Sequence, residues 1–90
     1  MNDEQIRLDD CRTEVLRALY HRRKGSHAAT TIRSVFLSGR DYTLEEVETA
    51  LHDLERLHYA ESGNAGMTGA QTVWQISADG LRFLEKGGRK

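Results

Sequence analysis

Apolar residues recur at steps of three and four along residues 9–23, where Leu8, Cys11, Val15, Ala18 and Leu19 form one stripe and Leu16 and Tyr20 widen it. That period predicts an amphipathic helix. Asp9 or Asp10 suits its N-cap, Arg22, Arg23 and Lys24 suit its C-terminal dipole, and Gly25-Ser26 ends it. A connector at His27, Ala28 and Ala29 has room for one residue pair of extended chain. Ile32, Val35 and Phe36 then stand at i, i+3 and i+4, which predicts a short second helix over 32–37 capped by Thr30 or Thr31. Ser38-Gly39-Arg40-Asp41 reads as a turn.

Thr43-Leu44-Glu45-Glu46 has the spacing of a capping box, in which a hydroxyl caps the helix and the carboxylate three residues later reaches back. It opens the strongest helix of the chain, over 43–58, with Leu44, Val47, Leu51, Leu54 and His58 along one face and Ala50 and Leu57 beside them. His58 reads as a half-buried boundary residue. An extended segment starts at 59–61, and residues 62–70, rich in glycine, carry neither period. Thr72-Val73-Trp74-Gln75-Ile76 is β-branched and aromatic, so it predicts a strand with Trp74 and Ile76 on one face. Ser77 caps a closing helix in which Leu81 and Leu84 face inward with Phe83 alongside. The expected class is mainly α with a small β-hairpin (α+β). Residues 1–8 form an N-terminal extension able to lengthen the first helix, 9–86 one domain and 87–90 a disordered tail.

Composition supports a globular domain rather than a disordered chain, since 38% of residues are hydrophobic against 30% charged. Cys11 is the single cysteine, so no disulfide within the chain is possible, and its place on the apolar stripe marks a small core residue. No stretch approaches the roughly 18 apolar residues of a membrane span, and the acidic N-terminus lacks the pattern of a signal peptide; a cytoplasmic location is expected. His21, His27, His52 and His58 offer no i, i+4 pair for a metal, and the glycines at 63, 66 and 69 are not followed by Lys-Ser/Thr as in a phosphate-binding loop. No nucleophile–base pair stands out. Neither metal, cofactor nor enzymatic activity is expected.

The net charge of −1 hides a segregation. Residues 12–40 hold seven bases and one acid, a net of +6, and residues 41–61 hold seven acids and one base, a net of −6.

Two segments carry a resemblance. Residues 43–59, Thr43-Leu44-Glu45-Glu46-Val47 through His58-Tyr59, look like the third helix of MarR- and PadR-like regulators, where an aliphatic ladder runs into a strand. Residues 74–84, Trp74-Gln75-Ile76-Ser77-Ala78-Asp79-Gly80-Leu81-Arg82-Phe83-Leu84, are similar to the strand-to-helix closure of those proteins. Together they resemble the winged helix-turn-helix superfamily over residues 9–86, in the order helix, short strand, helix, helix, two wing strands, helix. The resemblance implies double-stranded DNA as partner and a small transcriptional regulator of bacterial or phage type, with helix 43–58 in the major groove.

At 100° per residue, Glu45, Thr49, His52 and Arg56 lie opposite the apolar face of that helix and are the candidate base contacts. Arg22, Arg23, Lys24, His27, Arg33 and Arg40 are the candidate phosphate contacts, and Asn64, Met67, Thr68 and Gln71 the candidate wing contacts. Glu48, Asp53 and Glu55 flank the stripe where phosphates would approach, and residues 61–72 contain no Lys or Arg. Those two features support an alternative, a protein-interaction or self-association module whose acidic segment 41–61 meets a basic partner or the basic segment of a second copy.

Overall fold

A computed structural model describes residues 3–65 and 71–87 of the chain, an α+β arrangement of helices around a three-stranded antiparallel sheet. Helix α1 (Asp3–His21) begins six residues before the predicted start. Asp9 and Asp10 are therefore interior residues rather than caps, and Arg22 and Arg23 lie in the turn beyond its end. The extension has local support, with Gln5 Nε2 donating to Asp9 Oδ1 (3.1 Å) and Arg12 paired with Asp9. It also has a distant partner, since Arg7 is held by Glu46. Cys11, Val15, Leu16, Ala18 and Leu19 are buried, as the stripe predicts.

Strand β1 (His27–Ala28) leads directly into helix α2 (Ala29–Thr31), which continues as a π-helical turn (Ile32–Phe36). No side chain caps α2; neither Thr30 nor Thr31 takes that role. The π-turn is closed by Leu37 N–H donating to Ile32 O (2.9 Å), a five-residue step. That step pairs Ile32 with Leu37 in the core and carries Val35 out of it. Val35 is 57% exposed, against the inward position that a regular helix would give it, and Phe36 is half-buried.

Helix α3 (Leu44–Arg56) carries the capping box that its sequence spells: Thr43 Oγ1 accepts from Glu46 N–H (3.1 Å), and Glu46 Oε1 accepts from Thr43 N–H (2.9 Å). Val47, Ala50, Leu51 and Leu54 are buried against α1 and the sheet. The helix stops at Arg56, two residues short of the prediction, in a Schellman turn. Tyr59 N–H donates to Leu54 O (2.8 Å), His58 N–H donates to Glu55 O (3.0 Å), and His58 adopts φ 67°. The places expected for Leu57, beside the apolar face, and for His58, half-buried at its boundary, are corrected accordingly: Leu57 is 50% exposed and His58 is exposed, because the chain reverses there to enter the sheet.

The strand order is β1-β3-β2, with β2 (Ala60–Ala65) and β3 (Gln71–Ile76) paired from Ala60↔Ile76 to Ala65↔Gln71, and β1 paired through His27↔Trp74 and Ala28↔Val73. Residues 62–65, which show no strand pattern, are thus strand. Their pairing to β3 does what hydrophobic alternation does elsewhere, since Ser62, Gly63 and Asn64 are all exposed. Trp74 and Ile76 point into the core.

Ser77 joins β3 to helix α4 (Ala78–Gly87) and to the Schellman turn. Its hydroxyl accepts from Gly80 N–H (3.0 Å) and donates to His58 O (2.5 Å), and its N–H donates to Tyr59 O (3.0 Å). At Gly80 a Cβ would collide with the Tyr59 carbonyl and lie 2.7 Å from Ile76 Cγ1, so only glycine lets α4 approach this closely. The Tyr59 and Phe83 rings stack at 4.7 Å across the same junction.

Two substitutions test this junction by thermal unfolding. Gly80→Ala is expected to destabilise the domain by about 2 kcal/mol through overpacking against backbone. His58→Gly is expected to stabilise it by up to about 1 kcal/mol, since glycine takes a positive φ without steric cost. Equal stability of both variants to the parent would contradict the described turn.

Candidate nucleic-acid interface

Helix α3 is fixed at its start by more than its own cap. Arg7, from the first turns of α1, donates through Nε to Glu46 Oε2 (2.5 Å) and through Nη2 to Glu46 Oε1 (2.9 Å), and also to the Asp41 carbonyl. Its guanidinium lies 5.2 Å from the centre of the Tyr42 ring. The Arg7 hydrogen bonds, with the Thr43 N–H, hold the Glu46 carboxyl down to about 2, and the same pair raises Arg7 above its ordinary range. Beneath this joint Cys11 Sγ lies 3.6 Å from Glu46 O, and burial, reinforced by the Glu46 charge, pushes its thiol up to about 11. At neutral pH Cys11 is a protonated core side chain, not a nucleophile. Burial also raises the Tyr42 phenol.

With both ends of α3 fixed, Glu45, Thr49, His52 and Arg56 all emerge into solvent. His52 is further oriented by Trp74, whose ring it meets edge-on at 5.1 Å. Next to this stripe a cleft of about 330 Å³ opens between three elements: Thr30 at the start of α2, Glu48 and His52 on α3, and Gln71 and Thr72 on β3. Gln71 lies at the last described pair of the hairpin, opposite Ala65, and Asn64 pairs with Thr72; both Asn64 and Gln71 are exposed. Met67 and Thr68 lie outside the described residues. Thr30 is a cleft residue that sequence reasoning treats only as a cap; the Ala28-Ala29 step before it gives no hint of its neighbours.

The acids of α3 divide into two groups. Glu46 is bound by Arg7, Asp53 by Arg56 and at 3.8 Å by Arg12, and Glu55 accepts a hydrogen bond from the Ser62 hydroxyl (2.6 Å). Glu45 and Glu48 are exposed and make no hydrogen bond or ion pair among the described residues. Glu45 occupies the first turn, where a carboxylate favours the helix dipole. Glu48, inside the cleft, has no such role.

The candidate phosphate contacts do not form one surface. Arg40 is paired with Glu14 (3.2 Å), and Arg33 Nε donates to Tyr42 O (3.0 Å) near the start of α3. Arg22, Arg23, Lys24 and His27 gather with His21 around a separate depression at the α1–β1 loop. That loop borders the Gln75 end of β3, where Ser26 bonds Gln75 (3.4 Å) and His27 faces Trp74, whereas the cleft runs from Ala28 and Trp74 to Thr72 and Gln71.

Among the described residues no three His, Cys, Asp or Glu side chains converge as a metal site requires, and no helix is long and apolar enough to cross a membrane. Comparison with known proteins finds no matching family model, no similar curated protein and no similar solved structure.

The Glu46 joint has a pH signature. Its folded-state value of about 2 lies below the ordinary 4.5, so its contribution is complete above about 4.5 and lost as pH falls toward 2. Glu46→Gln is expected to cost about 1 kcal/mol at pH 7, since water screens a pair this near the surface, and to flatten the acid limb of stability in urea titrations between those values. An acid limb identical to that of the parent would remove Glu46 from the account.

Proposed function

We propose that the chain is a winged helix-turn-helix domain that binds double-stranded DNA, as a small transcriptional regulator of bacterial or phage type. The helix order, the β1-β3-β2 strand order and the hairpin between β2 and β3 agree with that architecture. The observation that carries the reading is the cleft in which His52 of α3 meets Thr30 of α2 and Gln71 and Thr72 of the hairpin. Helix, helix start and wing thereby offer hydrogen-bonding groups to one side, beside the Glu48 carboxylate, as a duplex docked on α3 requires. In this reading Thr49, His52 and Arg56 address base edges, and Glu45 accepts from a cytosine amino group. Asn64 and Gln71 serve the wing. Pairing of Glu46 with Arg7 and of Asp53 with Arg12 lowers part of the repulsion that the acidic count of α3 would otherwise impose on phosphates.

A second reading rests on Glu45 and Glu48, two exposed carboxylates without internal partners on the same face. They suit a basic protein partner or the basic loop of a second copy, with no DNA bound.

Fluorescence anisotropy with duplex DNA separates the two. The DNA reading predicts that selection from a random-sequence pool yields preferred sites, and that Thr49→Ala with His52→Ala weakens binding to those sites at least about tenfold. Glu48→Gln is expected to strengthen binding several-fold by removing a repulsive charge. Absence of binding even at about 50 mM salt, together with salt-sensitive self-association in sedimentation that Glu48→Gln weakens, would replace the DNA reading with the second.

A further inference from the structure

The arginines sort by what holds them. Arg7, Arg12, Arg40, Arg56 and Arg82 each pair with a carboxylate. Arg22, Arg23 and Lys24, consecutive in the turn after α1, have no carboxylate partner among the described residues. They are nevertheless ordered by aromatic rings. The Arg22 guanidinium lies 5.1 Å from the centre of Phe36, and that of Arg23 lies 4.7 Å from the centre of Tyr20. His27 completes the frame, edge-on to Phe36 at 4.8 Å and with Nε2 2.9 Å from Arg22 O. Between these groups, with His21 and Gly25, is a depression of about 290 Å³.

A guanidinium stacked on a ring spends its flat face and keeps N–H groups at its edge for oxyanions. Ordering by stacking also lowers the entropy lost when an anion binds. The helix C-terminus accounts for part of the basic character, since Arg23 Nη1 donates to Tyr20 O (2.9 Å). It does not account for Arg22, which is braced by a ring from the π-turn, nor for Lys24, which is exposed and makes no hydrogen bond or ion pair among the described residues. Three adjacent cations on one loop suit a polyanion better than a single small anion. A duplex presents about one charge per 1.7 Å of its axis, so each cation finds a phosphate.

The loop does not share the α3 cleft. The two depressions adjoin at β1, where Ala28 and Trp74 line the cleft and His27 pairs with Trp74, but they share no lining residue, and Arg22, Arg23 and Lys24 border only the loop depression. We infer that the α1–β1 loop is a separate, sequence-independent site for the phosphodiester backbone of duplex DNA, distinct from the surface assigned to α3. Affinity for any duplex then resides largely in a loop that reads no bases.

The test measures binding of a random-sequence labelled duplex over a salt series, using the full chain. Arg22→Ala/Arg23→Ala/Lys24→Ala is expected to lose at least about tenfold in affinity at low salt and to reduce the slope of log K against log salt by about 2–3. Lys24→Glu, at an exposed position that the fold does not use, is expected to act in the same direction and guards against a folding defect in the triple variant. Arg82→Ala, on α4 and outside both surfaces, removes a cation as the control and is expected to leave random-duplex binding unchanged. Failure of the α3 reading would show instead as an absence of preferred sites, whatever the loop does. Parental affinity and slope in both loop variants would overturn the inference, as would an equal loss in Arg82→Ala. Binding to phosphatidylserine vesicles without binding to duplex would also overturn it, and would assign the cations to a lipid headgroup.

Discussion

The Glu46 carboxylate is the point on which the arrangement of the two long helices depends. One of its oxygens accepts from the Thr43 N–H and so starts α3; both accept from Arg7 and so tie that start to α1. A capping box alone would fix where a helix begins. A capping box whose carboxylate is also gripped by a guanidinium fixes where that beginning lies relative to another element. The apolar packing of Val15 and Leu19 with Val47 and Leu51 supplies most of the cohesion. It is non-directional, and the polar joint supplies the direction.

The far end of α3 is set with comparable economy. His58 turns the chain through a positive φ, Ser77 bonds the turned carbonyl, and Gly80 admits α4 against it. Three residues from three segments thereby fix the entry to β2 and, through the register from Ala60↔Ile76 onward, the position of the hairpin beside α3. The exposed stripe from Glu45 to Arg56 and the cleft at Thr30, Gln71 and Thr72 follow from these two joints.

What the sequence discloses and what it conceals divide along physical lines. The capping box, the aliphatic face of α3, the strand at Trp74 and Ile76 and the cap at Ser77 are local patterns, and each has its expected place. The π-turn is hidden, because Ile32, Val35 and Phe36 fit a regular helix just as well; only the Ile32-to-Leu37 spacing hints at a wider turn. Strand at 62–65 is hidden because Ser62, Gly63 and Asn64 are all exposed, so alternation has nothing to mark there. The Arg7–Glu46 joint is hidden because 39 residues separate the partners. Exposure of the candidate base-contacting stripe is legible from helical period alone. The separation of the basic loop from that stripe is not, since it follows from strand direction in the sheet.

The charge map therefore changes meaning once folded. A basic half followed by an acidic half becomes a braced cationic loop before β1 and an α3 on which Glu46 and Asp53 are ion-paired internally while Glu45 and Glu48 face solvent. The central claim is that α3 and the hairpin form one DNA-facing surface. Its most direct test is backbone amide chemical-shift mapping of the labelled protein titrated with a selected duplex. The account predicts the largest shifts at Thr30, Thr49, His52, Gln71 and Thr72. Shifts that bypass these residues and fall on α4 would contradict it.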